Sequence, residues 1–568
     1  MKPTSLYHSI LSFPQRSGIA VQFYEKSRLQ SWTWPEYFDH IKTLAGSLHR
    51  LGVQPQTKVA IKAATGVKWG LLDLALQSLG AVTVPIYPNS TPEEMALILQ
   101  DSQSRFLFLQ NETQELTLQL KPPLEKVIYL EGKIQSTKAH LSWNSFIELC
   151  DEDPMPDDWF ENLTPPKPEA LATLIYTSGT TGRPKGVELS SIQIYSEVTE
   201  AFGWAVTPED VSLCFLPLAH VLGRVEFWAH AYWGYTLAYA ESLETLRKNL
   251  KQVRPTVFVG VPRVFEKFHE AILAQMEGLG VRRRVFEWAL EIGRKISDYT
   301  TSRRKVPLNL ALQGELADQL VFSKVKQAFG GRLRFAISGG APLNREIMRF
   351  FHSCGVLILE GYGLTETTAA ITVNRNTHYK FGTVGLPVGD VKIKIAPDGE
   401  ILIKSQKVMM GYHNLPEETA KVLQDGWLAT GDIGELLPTG ELRITDRKKD
   451  LIKTSGGKYV APQKLESLLK ENPLVAQALV YGDQKKYVTV LLQINTELSQ
   501  SLSSQDLEEK IRNHIAETNA KLSSYETIKK FAMVTDPWTI ENGLITPSLK
   551  LKRKLLIEKY RDVLEGLY

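Results

Sequence analysis

The chain has 568 residues, 43% of them hydrophobic and 23% charged, a composition that suits a globular protein with material for more than one core. A formal net charge of +3 gives no global basis for nucleic-acid binding, and three widely spaced cysteines, Cys150, Cys214 and Cys354, argue against a disulfide framework or a cysteine-ligated zinc site. The N-terminus lacks a sustained apolar core before a small-residue cleavage site, and Asp73 and Gln77 interrupt the longest apolar run, so neither a signal peptide nor a membrane span is expected and a cytoplasmic location fits best.

Helix and strand signals alternate along the first 110 residues. Pro35 to Leu51 carries apolar residues at helical spacing and stops at Gly52; KVAIKA reads as a strand; Gly66 to Leu79 repeats the helical pattern and stops at Gly80. After the strand AVTVPIY, Ser90 or Thr91 can cap a helix in which Pro92 suits the first position, and Glu93 and Glu94 favour the positive end of the dipole. Such alternation implies a parallel sheet covered by helices. A proline-rich connector, Pro154 to Ala170, leads into the strand LATLIY, and DVSLCFLPL, PTVFVGV, LRFAIS and VLILEGY continue the strand pattern. Pro262 starts a helix that runs to about Met276. Strand signals dominate from Lys392 to Thr445. Beyond Asp446 come a hairpin, a helix begun by Pro462, strands at 475–481 and 487–494, a helix from about Gln505, a strand near Phe531 and a last helix. The expected protein is therefore α/β. A large N-terminal domain, 1–446, has helix-covered sheets and a β-rich closing unit; a small α+β domain, 447–568, follows a boundary at 445–450.

Between two strand signals, Tyr176 to Val187 reads YTSGTTGRPKGV. Hydroxyls, glycines and two cations in one loop offer backbone N–H groups and donors to an anion, and phosphate is the natural guest. A flexible surface turn rarely combines this many hydroxyls with Arg183 and Lys185. A Walker loop is excluded by spelling, because Lys185 is followed by Gly186.

This loop resembles the phosphate-loop signature of the adenylate-forming superfamily, which holds acyl-CoA synthetases, adenylation domains and luciferases. GYGLTETT (361–368), WLATGD (427–432), TDRKKDLIKTSGGKYVAPQKLE (445–466) and TPSLKLKR (546–553) resemble its other signatures in the same order. The resemblance spans about residues 20 to 565, and LPLAHVLGR, GVPRVFEK and LRFAISGGAPL are similar to the long-chain fatty acyl-CoA synthetase branch.

The resemblance implies a two-step reaction. A fatty acid carboxylate attacks the α-phosphate of ATP, and the acyl-adenylate then passes its acyl group to coenzyme A. By similarity, Thr177, Ser178, Gly179, Thr180, Thr181 and Gly182 would wrap the β- and γ-phosphates, with Lys185 steadying the loop or the leaving pyrophosphate. Glu366, beside Thr365, would hold Mg2+, a hard cation suited to carboxylate and phosphate oxygens. Gly339, Gly340 and Ala341, with Gly361, Tyr362 and Gly363, would line the adenine, while Asp432 and Arg447 would engage the ribose. Lys550 is implied as the cation between carboxylate and α-phosphate. Gly456 and Gly457 would let the pantetheine arm of coenzyme A pass the backbone, and Lys449 falls at the family hinge of a mobile small domain. Taken singly, Glu366, Asp432, Arg447 and Lys550 could each be a cap or a solvated charge; their order along the chain sets them apart.

His220 and Arg224 lie at the element that forms an acyl gate in the family, but Gly223 stands where many long-chain members carry Glu. Nine aromatic residues between Phe202 and Tyr239 could wall a lipid tunnel or simply build core. The basic run from Arg282 to Lys305 reads first as a solvated helix face; contact with the inner face of an anionic membrane or with coenzyme A phosphates is the alternative. Acyl carrier protein is the alternative acyl acceptor, and an inactive lipid-binding homologue is the non-enzyme alternative.

Overall fold

A computed structural model describes residues 5–111, 124–132, 134–178, 184–275, 280–456, 458–500, 502–539, 542–545 and 551–568. Two large sheets form the body. The eight-stranded one runs, edge to edge, Gly411–Tyr412, Pro184–Ser190, Leu171–Ser178, Val82–Ile86, Lys58–Lys62, Phe106–Leu109, Lys126–Tyr129 and His140–Ser142. The nine-stranded one includes Ile358–Leu364, Phe335–Ser338, Val257–Gly260, Val211–Cys214 and Thr236–Tyr239 as consecutive neighbours. Their central pairings are parallel, as the helix–strand alternation requires, but antiparallel partners edge the nine-stranded sheet on both sides and the eight-stranded one on the Gly411–Tyr412 side.

Local chemistry starts the helices where the sequence signals it. Thr33 and Glu36 form a reciprocal capping box for Trp34–Arg50, and Thr91 and Glu94 form another for Pro92–Ser102. The helix Val67–Ser78 is buried on nearly all its faces, including Asp73. It lies inside the body.

Asp73 explains how the sheets are joined. Its carboxylate receives Arg224 Nη2 at 2.5 Å, Trp228 Nε1 at 2.9 Å and the Thr83 hydroxyl at 2.7 Å. Arg224 also donates to Thr173 at 2.8 Å, and its guanidinium lies over the rings of Trp69 and Trp228. Both members of this ion pair have no exposed side-chain surface. The pair ties the helix Val221–Trp233 to the strand Leu171–Ser178, which carries Thr177.

A smaller five-stranded sheet contains Lys392–Ile395, Glu400–Lys404, Trp427–Leu436 and Leu442–Arg447. The residues after 450 have their own apolar clusters, one around Leu465, Val490 and Ile511 and another around Leu479, Trp538 and Leu556. Arg553 reaches Glu466 and donates to the Val480 carbonyl at 2.6 Å, pinning the helix Arg553–Lys559 to the strand Val475–Tyr481. Among the described residues, hydrogen bonds from this portion to the body include Gln463 N–H to Asp446 at 3.2 Å, Asn344 Nδ2 to the Ser467 carbonyl at 3.4 Å and, next to the boundary, Leu451 N–H to the Arg447 carbonyl at 3.1 Å.

Glu360, on Ile358–Leu364, is fully buried and accepts the Leu343 N–H at 2.9 Å, fixing the end of the loop that contains Gly339, Gly340 and Ala341. Burial raises this carboxyl from the ordinary 4.5 to about 7, against the stabilising backbone hydrogen bond. With the folded pKa above the unfolded one, the folded chain holds an extra proton between those values, so this group's contribution to stability falls as pH rises through that window.

Two outcomes follow from these buried groups. Arg224→Met strands the Asp73 carboxylate and should cost about 3–5 kcal/mol, read as a lower thermal midpoint. Adding Asp73→Leu should recover part of that loss; an unchanged midpoint in Arg224→Met would remove the pair from the stabilising set. Glu360→Gln keeps the acceptor but cannot ionise, so its midpoint relative to the parent should climb from about pH 5 to about pH 8. A constant difference across that range would be contrary to the titration assigned to Glu360.

Candidate active site

The strands Leu171–Ser178 and Pro184–Ser190 form an antiparallel hairpin in which Thr177 faces Lys185. Gly179, Thr180, Thr181 and Gly182, together with Arg183 and the Ser178 side chain, lie outside the described residues. Lys185 itself is described. Its ammonium is 2.7 Å from Glu418 and 5.0 Å from the centroid of the Tyr412 ring. Lys185, with Lys421, holds the Glu418 carboxyl well below its usual range.

Tyr412 links Lys185 to Glu366. It pairs with Val187 at the edge of the hairpin, and its hydroxyl donates to Glu366 at 2.9 Å. Glu366 sits with Thr365 in the short 3-10 turn Thr365–Thr367, and the Glu366 carbonyl accepts the Met409 N–H at 2.8 Å. The loop around 409–412 thus holds the turn and the hairpin together. Neither Tyr412 nor Glu418 was anticipated from sequence. The signal available was a glycine–tyrosine pair followed by Pro416, Glu417 and Glu418 at a helix start.

Gly361, Tyr362 and Gly363 lie on the strand Ile358–Leu364, beside Phe335–Ser338, whose end continues into Gly339, Gly340 and Ala341. At Gly363 the antiparallel neighbour comes so close that an added Cβ would fall 1.4 Å from the Ala369 carbonyl oxygen. Only glycine fits there. Tyr362 donates to Asp432 at 2.6 Å, and Arg447 Nε lies 3.0 Å from the other Asp432 oxygen. Asp432 and Arg447 are direct partners across the ladder of Trp427–Leu436 and Leu442–Arg447. The carboxylate has lone pairs remaining for two adjacent hydroxyls.

Lys449 is exposed as a residue, yet desolvation lowers its pKa and the charge of Arg447 acts the same way, while Asp450, Asp432 and Glu366 oppose them. Its ammonium therefore shares the electrostatic field of the Asp432 and Glu366 carboxylates. Neighbouring Lys448 bonds to Asp398 and Glu400, at 2.6 Å each. Gly456 is in the turn between Ile452–Lys453 and Tyr459–Val460 and is exposed, and a Cβ added to it would meet only the Thr454 hydroxyl, at 4.0 Å, among the described residues; Gly457 and Lys550 lie outside the described residues.

The acyl side departs from the sequence reading. Arg224, expected at a gate, is enclosed and committed to Asp73, so swinging it would break the buried pair described above. His220 caps the start of Val221–Trp233, accepting the Leu222 N–H at 3.2 Å. At Gly223 an added Cβ would lie 2.7 Å from the Pro217 carbonyl oxygen, so the glutamate common in the family has no room here without backbone movement. Phe227, Trp228, Tyr235 and Tyr239 are core rather than tunnel wall, because the helix that follows His220 is packed between the sheets. Leu222 and Val261 instead flank Gly339 and Gly340, a role their ordinary apolar identity did not signal.

For a metal ion, the described residues contain no group of three or more His, Cys, Asp or Glu able to hold one. Glu366 offers a single half-buried carboxylate oriented by Tyr412. That donor set fits a hard cation whose other ligands are phosphate oxygens and water.

Residues 14–413 match the AMP-binding enzyme family and residues 449–568 the AMP-binding enzyme C-terminal domain. The long-chain-fatty-acid–CoA ligase FadD15 of Mycobacterium bovis is 34% identical over 559 residues, covering 94% of this chain and 92% of that protein. Long chain acyl-CoA synthetase 1 of Arabidopsis thaliana is 31% identical over 623 residues, covering 99% and 91%. Among solved structures, the adenylation domain of a Mycobacterium chelonae carboxylate reductase superposes with a TM-score of 0.77 at 24% identity, over 99% of this chain and 91% of that one, a likeness of fold. With the family model matched over residues 14–413 and relatives more than 30% identical along nearly their whole length, the chain belongs to the AMP-binding enzymes.

Proposed function

We propose that this protein is an AMP-forming long-chain fatty acid–CoA ligase. It joins a fatty acid to AMP with release of pyrophosphate, then transfers the acyl group to the thiol of coenzyme A. The observation that carries the chemistry is the Tyr412 bridge: the Lys185 ammonium lies over its ring, and its hydroxyl donates to the Glu366 carboxylate. The acyl class is supported by relatives of nearly equal extent that are named for long-chain fatty acids.

In this reading the first step is a problem of charge. A carboxylate and a phosphate about 4 Å apart repel by ~4 kcal/mol at an effective dielectric near 20, so cations must be placed where they meet. Lys185 and the hydroxyl-rich loop from Thr177 to Gly182 receive the β- and γ-phosphates, and Lys550 serves the carboxylate and α-phosphate. Tyr362 and the loop from Gly339 to Ala341 border the adenine, and Asp432 and Arg447 take the ribose hydroxyls. Glu366 would hold Mg2+, which when bound neutralises phosphate charge as pyrophosphate departs. For the second step, residues 447–568 turn about Lys449, and the turn at Gly456 and Gly457 admits the thiol arm.

Two measurements test this reading. Pyrophosphate release and thioester formation, assayed over a panel of fatty acids with ATP and either coenzyme A or acyl carrier protein, should favour chains of about twelve carbons or more and coenzyme A. Each buried methylene should add up to ~0.8 kcal/mol until the site ends. Equal efficiency with acetate and palmitate would sink the long-chain reading, and transfer to carrier protein alone would replace the acceptor. In the second, Lys550→Ala should abolish most pyrophosphate release yet still convert supplied acyl-adenylate to thioester, while Gly456→Trp should do the reverse. Equal damage to both half-reactions by either variant would contradict the assignment of these positions to successive steps.

A further inference from the structure

The helix Leu308–Ala317, its π-helical extension Asp318–Phe322 and the helix Ser323–Ala328 follow the long helix Gly280–Thr301 and fold back along it. Leu310, Ala317, Val321 and Phe322 face the protein and are buried. That packing accounts for one side of the element. The opposite side is also apolar: Leu308, Leu312, Leu316 and Leu320 are 78, 59, 49 and 48% exposed. Four leucines at i, i+4, i+8 and i+12 make a stripe about 18 Å long. In a regular helix such a stripe drifts sideways, and the wider π turn at its end reduces the drift. Eight residues from 308 to 320 are exposed, and Glu315 is the sole charged one among them. A helix with apolar residues on both sides normally has both covered.

The surrounding charge selects the occupant. Residues 280–330 contain ten Lys or Arg and five Asp or Glu, a balance of +5, whereas the entire chain carries +3. Four of those five acids are engaged with cations: Glu287 with Arg283, Glu291 with Lys295, Asp298 with Arg349 and Asp318 with Lys326. Arg303, Arg304 and Lys305 are exposed and immediately precede the leucine stripe, and Arg282 and Arg284 are exposed at the start of the long helix, next to Val281 at 75% exposure. A second copy of the chain docking on the same patch would set this excess against itself across a two-fold axis. An anionic bilayer complements both features, accepting leucines below its headgroups and pairing the arginines and lysines with phosphates.

We infer that the face formed by Leu308, Leu312, Leu316 and Leu320, with Arg303, Arg304 and Lys305, docks the protein in the plane of an anionic lipid surface. This goes beyond the ligase reading and does not depend on it. The contact leaves the protein peripheral, since no described helix is long and apolar enough to cross a membrane.

The test is flotation of the full-length chain with vesicles of phosphatidylcholine and phosphatidylglycerol, without ATP, coenzyme A or fatty acid, so its outcome is separate from that of the activity assays. The parent should float with these vesicles and bind phosphatidylcholine alone about ten-fold less, and Leu312→Gln/Leu316→Gln should lose about ten-fold in binding at an unchanged thermal midpoint. Arg304→Gln/Lys305→Gln should weaken binding to the anionic vesicles only. Failure of the parent to float, or undiminished flotation of the leucine variant, overturns the inference. Sedimentation velocity supplies the remaining outcome: a dimer that the leucine variant converts to monomer would assign the stripe to a second copy and overturn the lipid assignment.

Discussion

The arrangement of the site rests on one guanidinium and one carboxylate that no water reaches. Asp73 and Arg224 join a helix of one sheet layer to a helix of the other, and the same guanidinium grips Thr173 on the strand leading to Lys185. Desolvating two charges is costly, and the cost is offset on the carboxylate by Trp228 and Thr83 and on the guanidinium by Thr173, although Arg224 Nε is left buried without a hydrogen-bond partner. Leu222, at the start of the Arg224 helix, lies beside Gly339, while Arg224 itself holds Thr173 on the hairpin strand of the other sheet.

Around that fixed frame, the charged groups of the site already have partners that a nucleotide would share or replace. Lys185 rests on Glu418, Glu366 accepts from Tyr412, and Asp432 is shared by Tyr362 and Arg447. Pre-paired groups of this kind avoid the cost of an isolated buried charge and need little reorganisation when an anion arrives. The Tyr412 side chain meets both groups, its ring under the Lys185 ammonium and its hydroxyl on the Glu366 carboxylate.

Residues beyond 450 carry their own apolar clusters and, among the described residues, meet the body through few polar contacts, whereas Lys448 is bonded to the β-rich unit by two acids. A connection that is firm on one side of Lys449 and sparse on the other suits a rotating attachment. The leucine stripe at 308–320 belongs to the body, outside the apolar clusters of the residues after 450.

Much of this was readable in the linear order of residues. Helix starts at Thr33 and Thr91 follow from a hydroxyl, a proline and a glutamate three positions on, because capping is satisfied within one turn. The strands preceding Lys185 and containing Tyr362 follow from short apolar runs, and the small C-terminal unit from a change of pattern after Asp446. Motif order likewise singled out Glu366, Asp432 and Arg447, whose roles need the right functional groups before they need exact neighbours. Tyr412, Glu418, Glu360 and Asp73 were not legible, since each acts through a partner 17 to 233 residues away. The aromatic segment and Arg224 were open to a lining role for the same reason: a side chain's identity states what it can bond, but burial decides what it does bond. Only the packing of the two sheets against each other removes water from Arg224 and leaves Leu308, Leu312, Leu316 and Leu320 outside, and solvent exclusion is a property of the assembled layers rather than of any stretch of sequence.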